Sequence, residues 1–412
     1  MRGGSVEIAC NMIQFNNGFV DDPEQPAISL LRDSIMSLAV TFYGSQHRQT
    51  TIKNRGYEKY GKVLRQLNSH LAQPDLQTTN ETILTALTCM LLEIFLPTGP
   101  NNFLKHMRGI EIMLEIRGPP NDPDGETALI FHGLRLLCIV GALATSRPSL
   151  YSREEWKRMP CVQKDEAGIL RHRIFTILAD GTRLRYERDL AQSLGLVDRY
   201  PCIIIETQLL LDKLEEIRVD WVAFNERQLD NSTTQLGKEI HVANHVSATV
   251  GMLYNTTYIC LLEVIESLES SSKYASLRNA AAIKILKCLE LKSYEQREGA
   301  PESNTIGFVA TKVAWQALGG FNSPEGRKLA KVVKAATNGV FAAGAWEGDP
   351  NPGLGFLQTQ QLSNIWSDPP VTPGSMNELK YLDPSGMKPC QKEILDLGRR
   401  VVPFRDFYNF GF

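Results

Sequence analysis

The chain has 412 residues, of which 43 % are hydrophobic and 22 % charged, with 44 Lys plus Arg against 46 Asp plus Glu. That composition excludes a disordered or fibrous chain and leaves enough apolar mass for a large core. A formal net charge of −2 gives no general electrostatic attraction to nucleic acid, so no nucleic-acid partner is expected.

In chain order, residues 1–26 are irregular, with Gly3-Gly4, Asn16-Asn17-Gly18 and two prolines. The opening MRGGSVEIAC has no apolar signal-peptide core, and cytoplasmic residence follows by default. Leu31, Ile35, Leu38 and Phe42 share one side of a predicted helix over 27–43. Tyr57, Tyr60, Val63, Leu64 and Leu67 mark another over 54–72, ended by Pro74. Asn80 is the expected N-cap of 81–95, which is apolar almost all round and therefore central.

The stretch Leu96–Pro120 (LPTGPNNFLKHMRGIEIMLEIRGPP) is the one around which the rest is expected to be arranged. Pro97, Gly99 and Pro100 make a turn, and Asn101 or Asn102 caps the next helix. Phe103, Met107, Ile110 and Leu114 form its apolar face, with Lys105, Arg108 and Glu111 mainly opposite. Gly118-Pro119-Pro120 stops it.

Further helices are predicted over 127–145, 164–189, 201–218, 240–268, 276–294, 305–319 and 325–347, with no useful period-two alternation. The most apolar run, Ala128–Ala144, contains His132 and Arg135, so no membrane span is expected. Residues 348–389 carry seven prolines, and Val401–Phe412 is aromatic. The expected fold class is therefore all-α: one helical bundle or array over 27–347, followed by an irregular Pro-rich arm over 348–412 that packs back on it.

Eight cysteines stand no closer than 23 residues apart, so these residues contain no C-x₂-C pair of a zinc cluster. Cys89, Cys138, Cys260 and Cys288 lie in apolar helical patterns and are expected to be buried thiols.

TFYG (41–44), QHRQ (46–49), LPTGP (96–100), FLKHMRG (103–109), LYNTT (253–257) and LGGFNSPEGR (318–327) together carry a resemblance. They are similar to the all-helical regulatory region of fungal zinc-cluster transcription factors, over roughly residues 27 to 347.

No Gly-rich phosphate loop and no G-x-S-x-G elbow occurs. His241 and His245 have the spacing of metal ligands one helical turn apart, but lack the Glu of H-E-x-x-H; two half-exposed helical histidines are the plainer alternative. Asp180 and Glu187 fall on one helix face and suit Mg²⁺; the alternative is a solvated face with Arg183–Glu187 and Arg185–Asp189 ion pairs. Asn255, beside Tyr254 in an apolar helix, needs a polar partner, which is either a metal or diphosphate or another core helix. Lys287 beside the Ile283–Leu286 stripe either snorkels or points into a cavity as a charge for a diphosphate.

The I-x-x-x-K spacing of Ile283 and Lys287 resembles atypical fungal terpene cyclases, the humulene synthases of tropolone-sesquiterpenoid pathways. The resemblance implies a lyase of secondary metabolism that makes humulene from farnesyl diphosphate with Mg²⁺. Lys287 would act as the diphosphate ligand, and Ile283, with Tyr254 as a further substrate-side candidate, as product-shaping wall. The metal shell is not carried over by motif; Asp180 and Glu187 with Asn255 are the candidates for it because Mg²⁺ needs oxygen ligands on inward helix faces. Asp21-Asp22-Pro23-Glu24-Gln25 lacks the third aspartate of the ordinary cyclase motif. Asn231, Gln235 and Glu239 carry Gln where the second metal motif has a hydroxyl, and Asp122-Pro123-Asp124-Gly125 is not a class II proton donor. The rival expectation is a transcriptional regulator or accessory protein without the zinc-cluster module, its helices serving dimerisation and effector sensing. A homodimer is the assembly expected if the chain associates.

Overall fold

The computed structural model describes residues 26–99, 102–122, 125–159, 161–162, 164–229, 241–269, 271–290 and 302–329. The irregular N-terminal segment, the arm over 348–412 with its aromatic end, and the helix expected beyond residue 329 lie outside the described residues. So do Asp21, Asp22, Asp124, Asn231, Gln235 and Glu239.

The fold is all-α, with no strand among the described residues. Its first four helices are α1 (Pro26–Gln46), α2 (Thr50–Leu71), α3 (Asn80–Phe95) and α4 (Asn102–Arg117). Then come α5 (Glu126–Ala144), a short α6 (Glu154–Lys157), α7 (Glu166–Ser193) and α8 (Tyr200–Leu229). The last three are α9 (His245–Leu268), α10 (Ser272–Leu289) and α11 (Glu302–Ala317). Period-3.6 patterning locates all of these except α6 and the 3₁₀ turn Leu150–Ser152 before it, which are too short to show a period.

Cap chemistry sets the boundaries. Thr79, not Asn80, caps α3, its Oγ1 accepting from the backbone N–H of Thr82 at 3.2 Å. Asn80 is used elsewhere: its Oδ1 accepts from Arg117 at 2.6 Å. Asp165 and Asn244 cap α7 and α9 by the same side-chain device. α8 runs eleven residues past the expected end at 218, because Phe224 and Asn225 are buried and anchor its last turns.

α1 packs on α2 and α3, α3 on α4, and α4 on α5, which reaches α7. α9 then gathers α7, α8, α10 and α11 around itself. The helix that the body surrounds is therefore α9 rather than α4. From Ser247 to Thr257 every residue of α9 is buried. Its hydroxyls make this tolerable: Thr249, Thr256 and Thr257 donate to carbonyls one turn back at 2.7, 2.8 and 2.9 Å. α5 and α9 are long and apolar enough to cross a membrane, but 61 % and 89 % of their apolar windows are buried inside the body. Both are core helices.

α1 and α2 approach so closely that two glycines are required. A Cβ at Gly44 would lie 2.3 Å from the Lys53 backbone nitrogen, and one at Gly56 would lie 2.1 Å from Thr41 Oγ1. The TFYG run thus marks a helix crossing. Cys89, Cys138, Cys260 and Cys288 are buried free thiols, as their apolar contexts predict.

Candidate functional site

The predicted metal-shell residues are each engaged separately. On α7, Asp180 pairs with Lys157 Nζ of α6 at 2.6 Å. Burial pushes the Asp180 carboxyl up, against the opposing pull of Lys157. Glu187 pairs with Arg183 at 2.6 Å, and Arg183 also holds Glu206 of α8 at 3.0 Å. The expected Arg183–Glu187 pair therefore forms. The expected Arg185–Asp189 pair does not: Arg185 reaches Glu263 of α9 at 3.6 Å, and Asp189 takes Arg188. Asn255 on α9 donates to the Gly251 carbonyl at 2.7 Å, and the Tyr254 hydroxyl donates to Glu215 at 3.4 Å. Among the described residues, no three His, Cys, Asp or Glu are grouped to hold a metal ion.

The histidine pair dissolves for a local reason. α9 begins at His245, and His241 precedes it with φ 55°, its carbonyl accepting from Asn225. The two imidazoles are not one helical turn apart. Lys287 is exposed near the end of α10, and Ile283 is half-buried against the core.

The structure instead builds polar clusters that the spacing of residues did not reveal. At the α4–α5 junction, buried Glu111 takes Arg108 and Arg147, each at 3.1 Å, and the Leu150 backbone N–H at 3.1 Å. At the α3–α4 turn, buried Glu93 accepts from the Thr98 backbone N–H at 2.8 Å, the Thr98 hydroxyl at 2.6 Å and the Tyr60 hydroxyl at 2.8 Å. His106 Nε2 lies 3.0 Å from that same hydroxyl oxygen. Tyr60 has one proton, and Glu93 takes it; His106 must therefore be the donor, protonated at Nε2. Between α5 and α7, Arg135 lies over the Phe175 ring, 4.6 Å from its centroid, and contacts His172 Nδ1 at 3.0 Å. Burial, then Arg135, then His132 push the His172 pKa down to about 4, so it is a neutral acceptor at pH 7.

The last cluster is on α11. Lys312 is 4 % exposed, and its Nζ has no hydrogen-bond partner. It lies 5.2 Å from the centroid of the Trp315 ring. The run VATKVAWQAL, a lone cation in an apolar helix, is the sequence signal that could have found it.

A model of the fungal-specific transcription factor domain matches residues 21–300, more than half of the chain. The chain belongs to this family. No curated protein and no solved structure matches it.

Membership in the fungal-specific transcription factor family overturns the expected enzyme. The lyase, terpene cyclase and humulene synthase reading rested on Ile283 and Lys287, and the family points to a regulatory protein instead. The reason is physical as well. Four residues of spacing recur in any amphipathic helix, whereas six separated runs must share one tertiary arrangement. The family-like runs lie at the joints of the domain: Glu93 staples the LPTGP turn, Glu111 stands two residues past the end of FLKHMRG, and LYNTT lies inside the buried α9. In LGGFNSPEGR, Gly319 and Gly320 turn the chain with φ 77° and 61°, and Ser323 Oγ accepts from the Gly326 N–H at 2.9 Å.

Lys312 yields a stability prediction. Burial lowers its pKa to about 8 from the ordinary 10.5, so the folded state is penalised wherever the ammonium is charged. The penalty is full below pH 8 and disappears as pH rises to 10.5, where the unfolded chain also loses its proton. Lys312→Met should therefore raise stability at pH 7 by roughly 3 kcal/mol, the scale of such a shift. The advantage should shrink towards pH 10.5. Urea unfolding at both ends of that range checks it; equal midpoints at pH 7 would refute it.

Proposed function

We propose that the chain is a transcriptional regulator or accessory protein, and that residues 26–329 form its regulatory body. The observation that carries this reading is the family match over residues 21–300. The charges of α4, α7 and α8 described above tie one element to the next within that body.

The test is a tethering assay. The 412-residue chain is fused to a heterologous DNA-binding domain in a fungal host carrying the matching operator and a reporter. A several-fold change in reporter output, absent with the DNA-binding domain alone, is expected. Unchanged output in both directions would overturn the reading.

A second expectation concerns direct contact with DNA. With net charge −2 and no C-x₂-C pair in these residues, the isolated chain should not bind duplex selectively. Sequence-selective, salt-sensitive retention of duplex DNA at physiological salt would refute it.

A further inference from the structure

Three half-buried cations of the fold are matched to carboxylates: Arg147 has Glu111, Lys157 has Asp180, and Arg183 has Glu187 and Glu206. Lys312 breaks that pattern. Its ammonium nitrogen is shielded from solvent and makes no hydrogen bond. A lone cation in apolar surroundings lacks both hydration and a countercharge, the costliest arrangement for a lysine. The Trp315 ring at 5.2 Å offers only a quadrupole, a fraction of what an anion supplies.

The surroundings determine which anion fits. On α11, Val309 lies one turn before Lys312, and Trp315 and Gln316 lie one turn after it, on the same side of the helix. Val309 is buried, while Trp315 and Gln316 are half-buried, so this face is less deeply covered at its Trp315 end. The indole is a fixed platform: a Cβ at Gly320 would stand 3.0 Å from its ring, so the turn backbone holds it closely on that side. One ammonium balances one negative charge. A dianion would carry surplus charge into an apolar site.

We propose that Lys312 is the anion-recognition point of an effector site at the Trp315 end of α11. Its ligand is a small organic acid whose carboxylate pairs with the ammonium and whose apolar body lies against the indole. The word effector rests on the regulatory reading above; the binding itself does not.

The probe is phenylacetate, with 2-phenylethanol as its uncharged counterpart and chloride at matched ionic strength as the simple anion. Tryptophan fluorescence and thermal unfolding of the full chain are followed at pH 7. Saturable binding of phenylacetate is expected, weakened roughly tenfold or more in Lys312→Met and equally weak for 2-phenylethanol. Lys312→Gln, which keeps a polar head without the charge, should behave as Lys312→Met does. The proposal is overturned by the absence of saturable binding up to about 50 mM, where a linked ligand must raise the unfolding midpoint. It is also overturned by undiminished binding in either variant, or by an equal response to chloride. Because no transcription is involved, a silent reporter would leave this result standing, and failed binding would leave the reporter result standing.

Discussion

Glu111→Ala should destabilise the chain by about 3–5 kcal/mol, the scale of removing one partner from a buried ion pair. Glu111 is 3 % exposed and takes three donors: Arg108, Arg147 and the Leu150 N–H. Two of them cannot turn to water. The Arg147 side chain is 13 % exposed, and the Leu150 backbone is fixed in the 3₁₀ turn that leads to α6. Without the carboxylate, the Arg147 guanidinium loses this countercharge while its Nε still donates to Thr145 Oγ1 at 2.8 Å, and the buried Leu150 amide loses its acceptor, so both carry a desolvation penalty. Arg108, 30 % exposed, is the control, and Arg108→Ala should cost under about 1 kcal/mol. Urea unfolding of both variants gives the comparison. A Glu111→Ala midpoint matching that of Arg108→Ala would mean that the buried pair contributes nothing.

Gly56→Ala should cost about 3 kcal/mol or more, the upper end for overpacking a core contact. The added methyl would sit 2.1 Å from Thr41 Oγ1 and 2.6 Å and 2.8 Å from the Thr41 backbone nitrogen and Cα. A side-chain hydroxyl can rotate away; backbone cannot, so α1 and α2 must separate. Separation also breaks the Ser37 hydroxyl bond to the Gly56 carbonyl, 3.0 Å across the same crossing. Gly61→Ala in the same helix is the matched control. Its nearest atom is Arg65 Nη1 at 4.0 Å, so the gain in helix propensity, up to about 1 kcal/mol, should appear as stabilisation. The same substitution five residues apart should thus change sign, read from thermal unfolding midpoints. Two stabilising changes would show that the helices yield.

The all-α class was legible because a buried face repeating every 3.6 residues needs no partner to be visible. α3 was readable as central from its nearly continuous apolar residues, and 82–90 are all buried. Caps were less legible: Thr79 and Asn80 are both good N-cap residues, and only Arg117 folding back to Asn80 decides between them. The candidate metal shell shows the sharper limit. Helical spacing put Asp180 and Glu187 on one face correctly, but spacing carries no information about what arrives opposite. α6, invisible as a period, brings Lys157 to Asp180, and α8 brings Glu206 to the arginine that already holds Glu187.

The two lysines draw the boundary most clearly. Lys287 and Lys312 each stand in an apolar helical run, and by sequence either one snorkels or points inward. By itself the sequence determined the helices, their apolar faces and the runs that mark the fungal-specific transcription factor family, since these depend on residues near one another along the chain. The tertiary structure alone decided that Lys287 faces solvent while Lys312 is buried at α11. A charge is exposed or buried according to the helices packed across from it, and those come from distant parts of the chain.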